Sequence, residues 1–406
     1  MPDVTYDVIV VGARCAGSAT ARLLAKRGYR TLVVDRASFP SDMPMSTHLL
    51  WHAGASQLER WGLLDALKAS GCPPLTDVSL NLGAMTLTGR PPSDGVDAAY
   101  APRRKVLDNI LLAAAVREGA EVHENFMVDD VVWDNDRVVG IRGERRGESA
   151  KTISARLVIG ADGRTSKVAH AVNAPTYNEM PAAQGTRFSY FSGVAMSKLE
   201  FIPGPGRMVF AWPTNDGLTV VGISWALEHF QKIRDDVEGH FYTELAELAP
   251  ELAARVQAGK REDAWLGGSI DSFCRKPYGP GWALVGDAGL TLDPITAAGI
   301  TDAFRDAELL ADAVHQGLSG TRDIDEALAE YEQLRNAASL PVYYFTAQMA
   351  QLAPPAPEVM QLFGALQHNQ EDTNRYFGVF AQTVPVTEFF DPANLARIIT
   401  SAAVPV

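Results

Sequence analysis

Gly12-Ala13-Arg14-Cys15-Ala16-Gly17 and, 23 positions after Gly12, Asp35 are the residues whose types and spacing first suggest chemistry. A glycine at the end of a strand permits a sharp turn, and small residues after it let the backbone approach an anion. A helix starting there aims free N–H groups and its dipole at that anion. The carboxylate of Asp35 stands near the offset of about 20 residues at which an acid holds an adenosine ribose. The middle glycine of Gly-x-Gly-x-x-Gly is replaced by Arg14, so the bare pattern is only Gly-x-x-x-x-Gly. The flanking elements therefore carry the argument. Val8 to Val11 is an unbroken apolar run, as in a buried parallel strand. Ser18 to Arg27 has the Ala/Leu pattern of a helix and stops at Gly28, and Thr31 to Val34 is a second apolar strand. Strand, turn, helix, strand and acid form one βαβ unit.

Two later segments repeat the theme of a strand ending in a small, acidic turn. Leu157 to Ile159 runs into Gly160-Ala161-Asp162-Gly163. Trp282 to Val285 runs into Gly286-Asp287, then Asp293-Pro294 and the helix start Ala298-Gly299-Ile300. A carboxylate such as Asp287 only accepts hydrogen bonds, which suits sugar hydroxyls. A helix N-terminus at Gly299 suits negative charge. Among ionisable groups, His48 in Ser46-Thr47-His48-Leu49-Leu50 is the most attractive proton donor or acceptor.

The stretch from Asp7 to Arg36 resembles the N-terminus of FAD-dependent oxidoreductases of the p-hydroxybenzoate hydroxylase and geranylgeranyl reductase superfamily. Many of those carry arginine at the middle-glycine position. The resemblance implies an α/β fold: a Rossmann-like FAD-binding domain, an inserted antiparallel sheet forming a substrate domain, and a C-terminal helical segment. It puts Gly12 to Gly17 at the FAD pyrophosphate, Asp35 on the AMP ribose and Arg36 beside the adenine. It puts Asp162 near the pyrophosphate and the nicotinamide approach, and Gly286 and Asp287 at the ribityl chain. Pro294, Ala298, Gly299 and Ile300 fall beside the isoalloxazine ring. An Arg-x-x-Leu-Asp element of relatives matches Arg104 to Asp108, so Arg104, with Arg103 as neighbour, is the FAD-contacting arginine. The loop of His48 would pass the isoalloxazine, giving His48 a catalytic proton-relay role.

The implied FAD domain is discontinuous, spanning residues 1–75, 100–170 and 278–335. Residues 76–99 and 171–277 form the substrate domain, and 336–406 the helical tail. Within 171–277, short alternating runs separated by Pro203-Gly204-Pro205-Gly206 and Asn215-Asp216-Gly217 read as an antiparallel sheet, and 231–257 reads as helix. Phe188, Tyr190, Phe210, Trp212 and Trp225 are its candidate pocket aromatics, since rings pack on flat substrates. The aromatic-rich tail, with prolines from Pro341 onward, would cap the entrance or form a homodimer interface.

Composition sets the outer bounds. The 36 Lys+Arg against 49 Asp+Glu leave a net charge of −13, with no basic run to override it, which argues against nucleic acid and anionic membranes as partners. Three cysteines give no disulfide framework and no metal-ligand spacing. The N-terminus lacks a basic, then apolar, leader, and no continuous apolar helix is long enough to insert stably, so a cytoplasmic location is expected. By resemblance the activity is monooxygenation of an aromatic or polyketide-like small molecule through a C4a-hydroperoxyflavin. The reductant is NAD(P)H bound transiently, because no second Gly-rich βαβ unit appears. Alkene reduction, as in geranylgeranyl reductases, and non-catalytic flavin binding are the alternatives. A halogenase Trp-x-Trp-x-Ile-Pro motif is absent, Phe210-Ala211-Trp212-Pro213 being a poor match.

Overall fold

The computed structural model describes residues 6–43, 45–93 and 95–402. Met1 to Thr5, where the reading of the leader begins, lie outside the described residues. An eight-stranded sheet forms one half of the molecule. Its main path runs Tyr278–Gly279, Trp282–Leu284, Lys151–Gly160, Tyr6–Val11, Thr31–Val34, Glu121–His123. The hairpin Phe126–Asp134/Arg137–Arg145 is attached to Lys151–Gly160. The central strands are parallel, with Val8 opposite both Thr31 and Leu157. Val8 to Val11 is buried on both faces, which explains why the run is apolar without alternation. Helices Cys15–Ala25, Arg104–Arg117 and Gly299–Leu318 cover one face, joined to it through Val10, Leu24, Leu112, Leu310 and Val314. Val128, Ile141, Trp282 and Leu284 fill the other face.

A seven-stranded sheet forms the second half. Its order is Lys260–Arg261, Gln184–Ser192, Thr219–Ala226, Arg207–Pro213, Leu199–Gly204, Val78–Asn81, Thr86–Gly89. All neighbours are antiparallel except Leu199–Gly204 with Val78–Asn81. One face packs on the helices Leu227–Lys232, Val237–Leu248 and Pro250–Ala258. These interrupt what the sequence predicts as one helix over 231–257: Asp236 caps a new helix through Gly239 N–H, and Pro250 starts another. The opposite face is covered by the C-terminal helices Pro357–Leu366, Gln370–Phe380 and Pro392–Ala402, through Leu362, Phe363, Tyr376 and Phe377.

The expected boundary at residues 335/336 falls inside one continuous helix, Ile324–Met349. Pro341 sits in its interior and removes one helical hydrogen bond without ending it. Packing outweighs that loss: buried Tyr331 donates to Leu284 O, and buried Arg335 reaches Gly289 O and Arg275 O. Thr176–Met180, Ser272–Arg275 and Leu290–Thr291 make a small third sheet linking the two halves. Among the described residues, no helix is long and apolar enough to cross a membrane.

Candidate functional site

Three turns far apart in sequence meet at the C-terminal ends of the parallel strands. A Cβ added to Gly12, whose φ is +107°, would lie 2.3 Å from Ala161 O, and one on Gly286 would lie 2.7 Å from Ala16 Cβ. A Cβ on Gly17 would lie 1.8 Å from Gly12 O. The two glycines of the first turn thus serve close approach of backbone, and all three turns are locked against one another. The helix that follows has no side-chain cap and no acidic residue in its first turn, so its N–H groups and dipole face an incoming anion unopposed.

Asp35 is half-buried and accepts from Ala13 N–H at 2.7 Å and Ala37 N–H at 2.8 Å. It holds the turn in shape and retains lone pairs for a sugar hydroxyl; Arg36 is exposed beside it. Asp162 is directed inward instead, accepting from Lys167 N–H and Ser166 Oγ, so its carboxylate caps the next helix while its backbone flanks Gly12. Asp287 differs from both. It is exposed to solvent and makes no hydrogen bond with its carboxylate among the described residues. Burial raises its pKa; Arg104 and Arg164 oppose the shift, and Asp302 adds to it.

Arg14, the substituted position, turns away from the helix axis into an ion cluster. Its Nη1 lies 2.7 Å from Asp108 Oδ2, while Arg104 Nε lies 3.0 Å from Asp108 Oδ1, and Cys15 Sγ donates to the same oxygen at 3.3 Å. Asp108 is fully buried. Burial works against the charge on Arg104, but Cys15, Asp108 and Asp287 more than offset it, so its pKa lies above the ordinary value. Arg103 points elsewhere, pairing with Asp42 and lying 3.9 Å above the Tyr190 ring.

His48 adopts the left-handed conformation (φ 68°), is buried, and hydrogen-bonds through Nε2 with the Tyr190 hydroxyl. Its Nδ1 has no partner. Burial lowers its pKa to about 3, with Asp42 opposing and the two arginines adding. His48 is therefore a neutral hydrogen-bonding group at physiological pH.

The aromatic expectations need correction. In the register of the sheet, Phe188 and Phe210 both pair with Gly222, and Tyr190 and Trp212 both pair with Val220, so these four side chains share a face. Trp225 has the opposite parity. It is buried on the outer face against Phe230, Phe241 and Leu245, and donates to Glu244. The four inner aromatics are packed among themselves and the His48 loop, Trp212 donating to Thr47 O. A small apolar pocket lies beside them. Its walls include Trp51, Phe201, Met208, Ile295 and Thr296, and Tyr376 and Phe380 of the tail close it. The tail was expected to cap the entrance or form an interface, whereas Trp51, which donates to Thr296 O, was not singled out from sequence. Neither was Asp293, which accepts from Gln184 and Ile295 N–H and so fixes the Pro294–Thr296 turn. Burial pushes its carboxyl up to about 6.

Beyond that turn, Ala298 and Ile300 are buried, and Gly299 opens a helix without a side-chain cap. A Cβ on Gly299 would meet no protein atom within 4 Å, so the helix start is open to a ligand. The uncapped first helix, the unpaired Asp287 and this open helix start fit a flavin dinucleotide, whose pyrophosphate Gly12–Gly17 would hold, with Asp287 for the ribityl chain and Pro294–Ile300 for the ring.

A parallel sheet with such a turn, accompanied by a separate antiparallel sheet, is the arrangement expected of a flavin-dependent oxidoreductase. The chain matches the FAD binding domain family over residues 5–345 and belongs to it. The tryptophan 2-halogenase of Chondromyces crocatus is 26% identical over 428 residues, which cover 96% of this chain and 78% of that protein. The digeranylgeranylglycerophospholipid reductase of Methanocella arvoryzae is 25% identical over 341 residues, 80% of this chain and 82% of that one. A flavoprotein/dehydrogenase from Cytophaga hutchinsonii shares the fold, with a TM-score of 0.81, 20% identity and 98% coverage of each chain. The chain is thus an FAD-dependent flavoprotein of the superfamily that includes halogenases, monooxygenases and reductases.

Proposed function

We propose that the chain is an NAD(P)H-consuming FAD monooxygenase that hydroxylates a flat, apolar, aromatic or polyketide-like small molecule. The supporting observation is the pocket beside the Pro294–Thr296 turn, whose walls carry no ionised side chain. The aromatic side chains of Trp51, Phe201, Tyr376 and Phe380 in those walls suit the faces of a flat ring system. Bound FAD supplies the oxygen-activating chemistry. The protein excludes water with Trp51, Phe201, Tyr376 and Phe380, and orients the substrate against the turn. The neutral His48 holds the Tyr190 hydroxyl by a hydrogen bond and so orients it on the inner face of the sheet. NAD(P)H docks transiently, a small molecule is the substrate, a second copy of the chain is a further candidate partner, and the enzyme works in the cytoplasm.

The 26% identity with a halogenase over nearly the whole chain favours a second reading, in which the same pocket presents the ring for halogenation. One experiment separates these. Flavin-loaded protein is incubated with NADPH or NADH and a panel of phenols, fused aromatics and isoprenoid alkenes, in air with and without bromide, and without oxygen. Gain of one oxygen atom by the product, independent of bromide, is expected. Replacement of hydrogen by bromine, or oxygen-independent gain of two hydrogens by an alkene, overturns the hydroxylase reading.

A further inference from the structure

On the outer face of the seven-stranded sheet, His229, His240 and Glu244 bring one potential ligand atom each to one place, all within 4.8 Å of one another. His229 lies on the helix Leu227–Lys232, while His240 and Glu244 lie one turn apart on Val237–Leu248. His229 Nε2 is 2.7 Å and His240 Nδ1 3.4 Å from the same atom, Glu244 Oε1. The two rings stand nearly perpendicular, at 85°, with centroids 5.9 Å apart. The other oxygen, Oε2, accepts from Trp225 Nε1 and Arg207 Nη1, each at 2.8 Å. One edge of the carboxylate is thus fixed by donors, and the other converges with both imidazoles. The Glu244 side chain is 8% exposed, the two imidazoles 43% and 46%, so the cluster has a buried anchor and an open side. Burial would raise the Glu244 pKa, but hydrogen bonds from His229, Arg207 and Trp225 more than reverse this, leaving it ionised.

We infer that this cluster binds a divalent transition-metal ion of the zinc class through His229 Nε2, His240 Nδ1 and Glu244 Oε1, with water completing the shell. Two imidazoles and one carboxylate form a borderline-soft donor set suited to Zn²⁺ and its neighbours, and unsuited to Mg²⁺ or Ca²⁺. Outer donors that orient a ligating group, as Trp225 and Arg207 orient Glu244, are the usual companions of such sites. The positive charge of Arg207 opposes a cation, but Glu247 pairs with the same guanidinium at 2.9 Å. The ion ties two helices to the sheet on the side away from the flavin turns, so it braces the substrate half and takes no part in the redox chemistry. The spacing His-x₁₀-His-x₃-Glu matches no familiar motif, because one ligand comes from a separate helix.

The test uses full-length, flavin-loaded protein, stripped with a chelator and titrated with ZnCl₂ in a calorimeter at neutral pH. Saturable uptake of one ion per chain is expected, with a higher melting temperature. His229→Ala and His240→Ala each weaken uptake by about tenfold or more and abolish the melting shift. NADPH oxidation by both variants stays at the wild-type level. In Cu²⁺-loaded wild type, the electron paramagnetic resonance spectrum shows coupling to two nitrogens, falling to one in either variant. No saturable Zn²⁺ uptake by the wild type, or equal uptake by wild type and both variants, overturns the inference.

Discussion

Replacing Asp108 with asparagine keeps the side chain's shape and removes its charge. Asp108 has 0% side-chain exposure and sits between Arg14, 20% exposed, and Arg104, 10% exposed. Breaking a buried pair by removing one partner costs about 3–5 kcal/mol, chiefly because it strands the other charge. Arg14 keeps Ser41 Oγ and some solvent, so the stranded charge here is mainly Arg104. An unfolding entropy of about 2.1 cal/mol/K per residue gives about 0.85 kcal/mol/K for this chain, so the loss appears as a fall in Tm of about 4–6 °C. The scan is run at saturating FAD, so that ligand linkage stays fixed. A second readout follows from geometry. Arg104, freed from Asp108, is drawn to the carboxylate of Asp287, so FAD is retained less well through gel filtration. Adding Arg104→Met to Asp108→Asn removes the stranded cation, and the double variant melts above the sum of the single losses. A Tm shift below about 1 °C together with unchanged FAD retention refutes the view that this cluster holds the cofactor turn in place.

Gly299→Ala puts a methyl group where no protein atom lies within 4 Å, at an ordinary helical φ. Stability is unchanged or rises by up to about 1 kcal/mol, while FAD affinity and turnover fall. Unchanged affinity and turnover show that the helix start does not face the flavin. His48 and His52 are buried, and burial lowers their pKa values to about 3 and about 4. The unfolded chain takes up protons near pH 6.5 and the folded chain does not. Their stabilisation is therefore complete above about pH 6.5 and is lost as pH falls towards those values, by about 1.4 kcal/mol per unit for each group. His48→Asn flattens the denaturation midpoint against pH by one proton; parallel curves for variant and wild type exclude His48 as the source. Trp225→Phe leaves Glu244 one donor short and costs about 1–3 kcal/mol. The KM for substrate stays unchanged, since Trp225 lies on the far face, and a raised KM contradicts that placement.

How far the fold is legible in the sequence follows from how local each feature is. The Gly12 turn, the Gly160–Gly163 turn and the Gly286–Asp287 turn each announce themselves within about a dozen residues, because a strand end, a tight turn and a helix start constrain the backbone locally. Even so, the sequence does not reveal that Gly12 is obligatory because of Ala161, 149 positions away. The Arg14–Asp108 pair spans 94 positions and the Tyr190–His48 pair 142, and no propensity encodes such contacts. Pro341 is a related case: local chemistry alone favours a break, and the tertiary partners of Tyr331, Arg335 and Tyr343 hold the helix continuous. Trp225 is a different kind of miss, since parity around the Asn215–Gly217 turn already separates it from Phe210 and Trp212. Once Phe210 is set opposite Gly222, residue 225 must point the other way. The same parity brings Trp225 to Glu244, so the residue first assigned to the substrate instead orients the carboxylate of a second, independent site.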